Sequence, residues 1–275
     1  MDYLQAVILG IVEGLTEFLP VSSTGHLTIA EKLMGLSIDD PHVTAFTAVI
    51  QMGAIAAVVL YFWRDIWRIT RAWLIGLVKP EYRGRFDHRM GWFVIIGTIP
   101  IGIVGLLAKD LITGPLRSQW VVAAALILWS FVMLAAERYA AQDRTESRLT
   151  VVDVVVVGLV QCFALIPGVS RSGATISAGL FRGLDRVAAT RLSFFLSIPA
   201  LVAAGIFELK DAFGGSIGVG ETVVGTLVSF VVAYASIAWL LRFVAHHSIG
   251  RFVPYRIALG LAIIVALSTG VLTAA

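Results

Sequence analysis

Residues 13–27, EGLTEFLPVSSTGHL, decide how the chain folds, because they interrupt an apolar stretch that is otherwise suited to a membrane. A proline and a run of hydroxyl residues follow two glutamates, so the apolar segment 3–33 is broken midway. Each half has about 10 to 16 residues, whereas a helix needs roughly 20 to cross a bilayer. Segment 3–33 is therefore predicted to form a re-entrant hairpin, which enters the membrane and returns to the same side.

The stretch IPGVSRSGAT, residues 166–175, breaks the apolar segment 151–181 in the same way. Six further apolar segments are long enough to cross a bilayer. They are residues 43–63, 91–108, 119–137, 192–208, 221–241 and 254–273. The predicted fold class is an all-α integral membrane protein, with six transmembrane helices plus two re-entrant helical hairpins in an inverted-topology repeat.

The order of these elements repeats, because a hairpin followed by three spans occurs twice. Shifting the chain on itself by 148 residues aligns GIVEGLTEFLPVSSTG with GLVQCFALIPGVSRSG, with identical residues at Gly10/Gly158, Ser22/Ser170 and Gly25/Gly173. Within a single membrane domain, 1–275, this predicts a first repeat at 1–137 and a second at 151–275. Three spans per repeat give the two halves opposite orientations. Their hairpin tips can then meet near the midplane, where broken helices form binding sites.

The composition agrees with a membrane location and gives an orientation. Hydrophobic residues make up 58% of the chain and charged residues 14%, whereas soluble domains have about 25% charged residues. The net charge of +3 follows from basic loops and does not indicate a nucleic-acid partner. Of the 21 Lys and Arg, 15 lie in the loops 64–90, 138–150, 181–191 and 242–253. These loops are predicted to be cytoplasmic, with both termini outside, and the loop 64–90 is predicted to contact anionic lipid headgroups.

Glu13 and Glu17 lie one helical turn apart, on a stripe shared with Gly10 and Gly14. Two carboxylates at this spacing repel each other, and each is costly inside a membrane. Protonation, a basic partner or a bound cation would relieve the repulsion. Oxygen ligands favour a hard cation such as Mg²⁺ or Ca²⁺. The alternative is a helix on the outer surface with two solvated acids.

Three hydroxyl residues and His26 follow Pro20, which is more than a helix cap requires. Ser22 or Ser23 is expected to cap the next helix, and His26 could simply bond locally. A serine or histidine nucleophile close in sequence to a carboxylate also suits a hairpin whose arms face each other. In the first of the six spans, Gln51 either faces this site or bonds a neighbouring helix.

Arg171 lies in the second break, and its neighbours are small or carry hydroxyl groups: Ser170, Ser172, Gly173 and Thr175. Small residues let backbone amides approach a ligand, and the start of the next helix contributes its positive end. A guanidinium adds bidentate donors, so the tip is suited to phosphate. The alternative is a structural lock in which Arg171 pairs with Glu17, a pairing that a substrate could replace.

The two motifs EGLTEFLPVSSTGHL and PGVSRSGATIS resemble the signature regions of the bacterial undecaprenyl-diphosphate phosphatase family, often called the bacitracin-resistance protein. The resemblance covers essentially the whole chain. It implies hydrolysis of undecaprenyl diphosphate to undecaprenyl phosphate and phosphate, which recycles the lipid carrier of cell-wall synthesis and confers bacitracin resistance. It also implies a divalent cation, a bacterial plasma-membrane location, a site open to the periplasmic side and a homodimer.

Carried onto this chain, the family's acidic motif falls on Glu13 and Glu17, the expected metal ligands. Its phosphate-binding loop falls on Ser170, Arg171, Ser172 and Thr175, with Gly173 between them. The resemblance implies Glu17, Ser23, His26 and Arg171 as catalytic residues. The nucleophile stays open between Ser23 (activated by Glu17 or His26), His26 itself and a cation-activated water.

Two other classes of membrane protein are weighed against this interpretation. An ion-coupled transporter or lipid-carrier flippase would use the same inverted-repeat site, and residue spacing alone does not exclude it. The acid-phosphatase-like membrane lipid phosphatases need a second histidine shortly after a Ser-Arg pair. No histidine occurs between Ser172 and Phe181, so that class is rejected.

Overall fold

The computed structural model describes residues 1–38, 40–212 and 218–273, and the regular elements within these ranges are helices. In the first half of the chain they are α1 (Tyr3–Thr16), α2 (Ser23–Leu33), α3 (Pro41–Tyr61), α4 (Trp63–Val78), α5 (Phe86–Leu107) and α6 (Lys109–Thr113). In the second half they are α7 (Gln119–Tyr139), α8 (Val151–Gln161), α9 (Arg171–Phe181), α10 (Arg186–Ala212), α11 (Val219–His246) and α12 (Val253–Ser268).

Within the described ranges, six helices are long and apolar enough to cross a membrane: α3, α5, α7, α10, α11 and α12. The predicted class of six-span, all-α membrane protein is therefore confirmed. Some spans begin earlier than hydropathy indicates, and α10 starts at Arg186 instead of residue 192. Ion pairs explain this extension, since Arg186 contacts Glu137 at 2.7 Å and Arg191 contacts Glu146 at 2.8 Å.

Residues 64–90 are largely helical, although the sequence analysis treats them as a loop. Helix α4 is amphipathic and packs against α5, where the ring of His88 fills the space above Gly76. Its Trp63 and Trp67 side chains are exposed, as expected for aromatic residues at a membrane interface. Hydropathy missed this helix because its arginines lower the average, while its apolar face still recurs with helical spacing.

The chain leaves helical structure at both places where the sequence predicts a break. Helix α1 gives way to turns before α2, and a short 3₁₀ turn at Cys162–Leu165 follows α8. Ser22 and Ser170, which the 148-residue offset pairs, have positive φ angles of 78° and 75°. Non-glycine residues rarely adopt this conformation. The shared feature supports the inverted repeat, which stays a prediction together with the re-entrant path of each hairpin.

Each broken segment packs against a long helix from the other half of the chain. Helix α1 lies along α11, and α8 lies along α5. A Cβ on Gly10 would come within 2.5 Å of the Gly225 carbonyl oxygen, and one on its repeat partner Gly158 would come equally close to the Gly97 carbonyl. Glycine at these two positions therefore allows the backbones to touch, as in close-packed membrane helices.

An ion cluster ties the second broken segment to its surroundings. Asp153, at the start of α8, is fully buried and pairs with Arg144 at 2.6 Å and Arg182 at 2.8 Å. The hydrogen bond to Asp153 raises the pKa of the Arg144 guanidinium above its usual value. Because all three groups are charged and paired, the cluster holds the loop after α7 against the turn between α9 and α10.

Candidate functional site

A cavity of about 160 Å³ lies between the two breaks and is lined by both. The first break and the start of α2 contribute Glu17, Ser22, Ser23 and Thr24, and the second contributes Ile166, Pro167, Gly168, Ser170 and Arg171. The long helices add Gln51, Ile101 and Leu201, so Gln51 faces the cavity. The lining thus includes polar and charged side chains as well as apolar ones. Such a cavity can hold an anionic head joined to a hydrocarbon.

The two tips are joined by direct hydrogen bonds. The backbone amide of Gly168 donates to Ser22 Oγ at 3.2 Å, and Ser172 Oγ donates to the Leu19 carbonyl at 2.9 Å. The sequence predicts that Ser22 or Ser23 caps α2. Ser22 is the residue at the cap position, but its side chain makes no capping hydrogen bond. It uses its hydroxyl to fix the opposite tip. Ser22 also has a positive φ angle, which is a strained conformation for a residue other than glycine. Such strain is often found at functional sites.

Glu17 lies between a cation and a hydroxyl. Its Oε1 accepts from Arg171 Nη2 at 2.9 Å, and its Oε2 accepts from Ser23 Oγ at 2.7 Å. The Glu17 and Arg171 side chains are only 5% and 10% exposed. Few waters can screen this pair, so the charges interact strongly. The pairing considered in the sequence analysis as a lock is thus present, and it includes the candidate nucleophile Ser23.

One nitrogen of the Arg171 guanidinium makes no hydrogen bond within the described part of the chain. This atom, Nη1, is buried. A guanidinium has five N–H donors in one plane, and here Nη2 bonds Glu17 while Nη1 is unused. Because Arg171 also lines the cavity, a turn of its side chain would bring this unused donor to an anion placed there.

His26 is held outside the cavity lining. Its Nδ1 lies 2.6 Å from the Ser22 carbonyl, and its Nε2 lies 2.6 Å from the Tyr255 hydroxyl. A carbonyl only accepts, so Nδ1 carries a proton, and in the neutral ring Nε2 accepts from Tyr255. Both nitrogens are therefore engaged away from Ser23. This arrangement favours Glu17 over His26 as the base for that hydroxyl.

Most of the other residues predicted to bind phosphate support the loop by hydrogen bonds within the protein. Ser170 Oγ accepts from the Gly173 amide at 3.2 Å and lies 3.1 Å from Ser172 Oγ. Thr175 Oγ1 donates to the Arg171 carbonyl at 2.8 Å and also bonds Ser193. Of the predicted set, Ser170 and Arg171 line the cavity, whereas Ser172, Gly173 and Thr175 hold their backbone in place.

The acidic pair offers two carboxylates for a cation. Glu13 is 1% exposed and, unlike Glu17, does not line the cavity. Among the residues that the structure describes, no group of three or more His, Cys, Asp and Glu side chains could hold a metal ion. Mg²⁺ commonly binds to one or two carboxylates and completes its shell with water and substrate phosphates. The oxygen donors near the cavity fit a cation that is shared with a phosphate ligand.

Two neighbouring residues on α12 have roles that were not predicted from the sequence. Tyr255 stacks on His26, with ring centroids 5.6 Å apart. Arg256 is fully buried and donates to backbone carbonyls of both tips. A signal was available for Arg256, because an arginine inside a membrane span is a functional candidate by default. No sequence signal places Tyr255 beside a histidine 229 positions away.

Comparison with known proteins gives matches over nearly the whole chain. Residues 6–262 match the sequence model of a family described as Bacitracin resistance protein BacA. The undecaprenyl-diphosphatase of Acidothermus cellulolyticus is 58% identical over 275 residues, which cover both chains completely. Undecaprenyl-diphosphatase 3 of Frankia casuarinae is 56% identical over 277 residues, again covering both chains. Undecaprenyl-diphosphatase 1 of Streptomyces coelicolor is 60% identical over 269 residues, which cover 98% of this chain and 97% of the relative.

Proposed function

The chain belongs to the family of the bacitracin resistance protein BacA, and we propose that the cavity between its hairpin tips hydrolyses undecaprenyl diphosphate. The products are undecaprenyl phosphate and inorganic phosphate, so the lipid carrier of cell-wall synthesis is recycled. The observation that carries this assignment of the site is Arg171. Its Nη2 atom holds Glu17, while its Nη1 atom is buried and unpaired among the described residues.

The cavity walls suggest how the substrate lies. The diphosphate would contact Arg171 and the hydroxyls of Ser22 and Ser23, which are polar members of the lining. The first isoprene unit would lie against Ile101 and Leu201, which are apolar members of the lining. An undecaprenyl chain is much longer than the cavity, so the rest of it would extend into the bilayer.

When substrate binds, the ion pair between Arg171 and Glu17 is replaced by one between Arg171 and a phosphate group. A phosphate oxygen competes with Glu17 for Arg171, because both are anions that match a guanidinium. Once Arg171 turns to the phosphate, Glu17 Oε2 keeps its hydrogen bond with Ser23 and, without the guanidinium beside it, becomes a stronger base. Ser23 Oγ then attacks the terminal phosphorus while its proton passes to Glu17 Oε2. The bond between the terminal phosphorus and the bridging oxygen breaks, and undecaprenyl phosphate leaves.

A second step returns the serine. Glu17 loses its proton to solvent and then accepts one from water, whose oxygen attacks the phosphoserine phosphorus. The Ser23 Oγ–P bond breaks, inorganic phosphate leaves, and Oγ takes the proton from Glu17, which is ionised again. In both steps Arg171 stabilises the negative charge that builds on the phosphoryl oxygens, which is the main requirement of phosphoryl transfer.

We propose Mg²⁺ or Ca²⁺ as the cofactor, held by Glu17 and the neighbouring Glu13. When bound, such a cation neutralises negative charge on the diphosphate. Two carboxylates one turn apart are costly in a membrane unless something positive offsets them, which supports this assignment.

The first test is phosphate release by the purified protein in detergent, with a polyprenyl diphosphate as substrate. We expect release with Mg²⁺ or Ca²⁺, and its loss on chelation and recovery when the cation is restored. Release that is insensitive to a chelator would remove the cation from the proposal but leave the hydrolase. Monodisperse protein that releases no phosphate with any cation would contradict the proposed function.

We also propose that the cavity opens to the periplasmic side of the plasma membrane. The support is the Lys and Arg excess in the loops predicted to be cytoplasmic. With the native Cys162 replaced by serine, the exposed positions Ser37 and Glu81 are changed to cysteine one at a time. A membrane-impermeant maleimide is expected to label Ser37→Cys in intact cells, and Glu81→Cys only after permeabilisation. The reverse pattern would contradict this orientation.

The remaining expectations receive less support. The transporter or flippase alternative gains nothing from the comparisons, since the relatives found carry a hydrolase name. The homodimer implied by the family resemblance stays a prediction.

A further inference from the structure

Arg256 is a buried charge with an unusual set of partners. It belongs to α12, and its side chain is completely enclosed by protein. Within the described residues its hydrogen bonds go to four backbone carbonyls and one hydroxyl, and no carboxylate pairs with it. A buried guanidinium is expensive, and uncharged acceptors compensate it only when their geometry is good. All five of these hydrogen bonds thus go to neutral groups in a fixed arrangement.

The partners of Arg256 come from both hairpin tips. Nη1 donates to the Pro20 carbonyl of the first tip at 3.0 Å. Nη2 donates to the Gly168 and Val169 carbonyls of the second tip at 2.9 and 3.1 Å. Because the guanidinium is planar and rigid, it fixes the separation of these carbonyls. Each contacted carbonyl is within three residues of Glu17 or Arg171 in sequence.

The rear of the guanidinium is anchored on α7. Nε donates to Ser130 Oγ at 3.2 Å, and Nη2 also reaches the Leu126 carbonyl at 3.4 Å. Ser130 is itself fixed by donating to Leu126 at 2.7 Å. Helices α7 and α12 pack against each other, so Arg256 is mounted on a stable pair of spans. The broken segments have no such continuous helix through the tips, and their relative position depends on bridging contacts.

We propose that Arg256 is a positioning residue, which sets the distance between the two hairpin tips and so aligns Arg171 with Glu17 and Ser23. The inference rests on the proposed function, because it concerns the alignment of that reaction. Arg256 touches none of the reacting groups and does not itself line the cavity. It acts by holding the Pro20 and Gly168 carbonyls from behind, in the manner of supporting groups that fix a catalytic arrangement.

The decisive variant is Arg256→Lys, which keeps the charge but cannot reach both tips with a planar fork. Steady-state phosphate release from a polyprenyl diphosphate is measured for the parent and the variant, per mole of folded protein. We expect kcat to fall by about 10- to 100-fold with KM changed by less than about threefold, because a misplacement near 1 Å has effects of this size. Equal kcat in both proteins would overturn the inference. An inactive parent would instead contradict the proposed function.

A second variant keeps the test valid if Arg256→Lys does not fold. Ser130→Ala removes the anchor of Nε and touches neither tip, and we expect kcat to fall by about 3- to 10-fold. Adding Ser130→Ala to Arg256→Lys should cause no further loss, since both changes disrupt one unit. The control is Met90→Ala, which removes a fully buried side chain from the main hydrophobic core. It should lower the melting temperature without lowering kcat. Parent-like kcat in Ser130→Ala, or full additivity of the two losses, would contradict positioning.

Discussion

Replacing Arg171 with alanine is expected to lower kcat/KM for polyprenyl diphosphate hydrolysis by about a thousandfold or more. The change removes the donor that stabilises charge on the transferred phosphoryl group, and arginines with that role contribute about 10³- to 10⁵-fold in phosphoryl transfer. It also removes the cation that pairs with Glu17. Phosphate release from the purified variant, measured over a wide substrate range, gives the value directly.

Loss of folding has to be separated from loss of chemistry in this experiment. Removing one partner of a buried ion pair destabilises a protein by about 3 to 5 kcal/mol, because the other charge is left uncompensated. The double variant Glu17→Gln/Arg171→Met removes both charges. Its melting temperature is therefore expected to lie above that of Arg171→Ala, while its turnover stays absent. Activity would return together with stability if the pair were only a structural lock.

Arg171→Lys and Arg68→Ala complete the series. Lysine keeps the charge but has no planar fork to engage Glu17 and phosphate in turn, so an intermediate loss of activity is expected. Arg68 forms a surface ion pair with Asp65 at 2.8 Å and has a 56% exposed side chain, so its loss should leave turnover and stability nearly unchanged. If kcat/KM in Arg171→Ala stays within about tenfold of the parent, Arg171 does not have the phosphate role proposed from its geometry.

Because membrane spans have a minimum length and are apolar, the outline of this fold can be predicted from the sequence. A span needs a minimum length of apolar residues, so the two segments broken at Pro20 and Pro167 stand out from the six that are continuous. The site motifs follow from the same rule, because polar groups are costly at membrane depth and are seldom there without use. Glu17, Ser23 and Arg171 were identified on that basis, and the structure brings them together around one cavity.

The details that escaped sequence analysis are those that depend on tertiary contacts. A hydroxyl-rich loop suggests that every polar side chain meets the ligand, yet Ser172 and Thr175 satisfy carbonyls and hydroxyls of the protein itself. Their role depends on which way each turn faces, and that depends on Ser170 having a positive φ. The bonds from Arg256 to Pro20 and Gly168 also join residues far apart in sequence. No local periodicity encodes such pairs.

Ser23→Ala is expected to reduce turnover by about a thousandfold, the second largest effect among these variants. The Ser23 hydroxyl donates to Glu17 at 2.7 Å and lines the cavity, as a nucleophile next to its base should. In the parent, rapid acid quenching with substrate labelled in the terminal phosphate should trap label on the protein. The label should be absent from Ser23→Ala. The matched control is Thr28→Ala, one turn further along α2, where the hydroxyl bonds only the Thr24 carbonyl within the helix.

Glu17→Gln tests the other half of the same step. Glutamine keeps the size of the side chain but cannot take a proton, so turnover should fall about as far as in Ser23→Ala. Because the two residues act as a unit, the double variant should be no slower than either single one. A water nucleophile predicts a different pattern, in which Ser23→Ala keeps at least about a tenth of the parent rate. In that case no labelled protein would be trapped, and Glu17→Gln alone would be inactive. The serine mechanism therefore requires that the two single losses be similar, non-additive and accompanied by a phosphoenzyme that depends on Ser23.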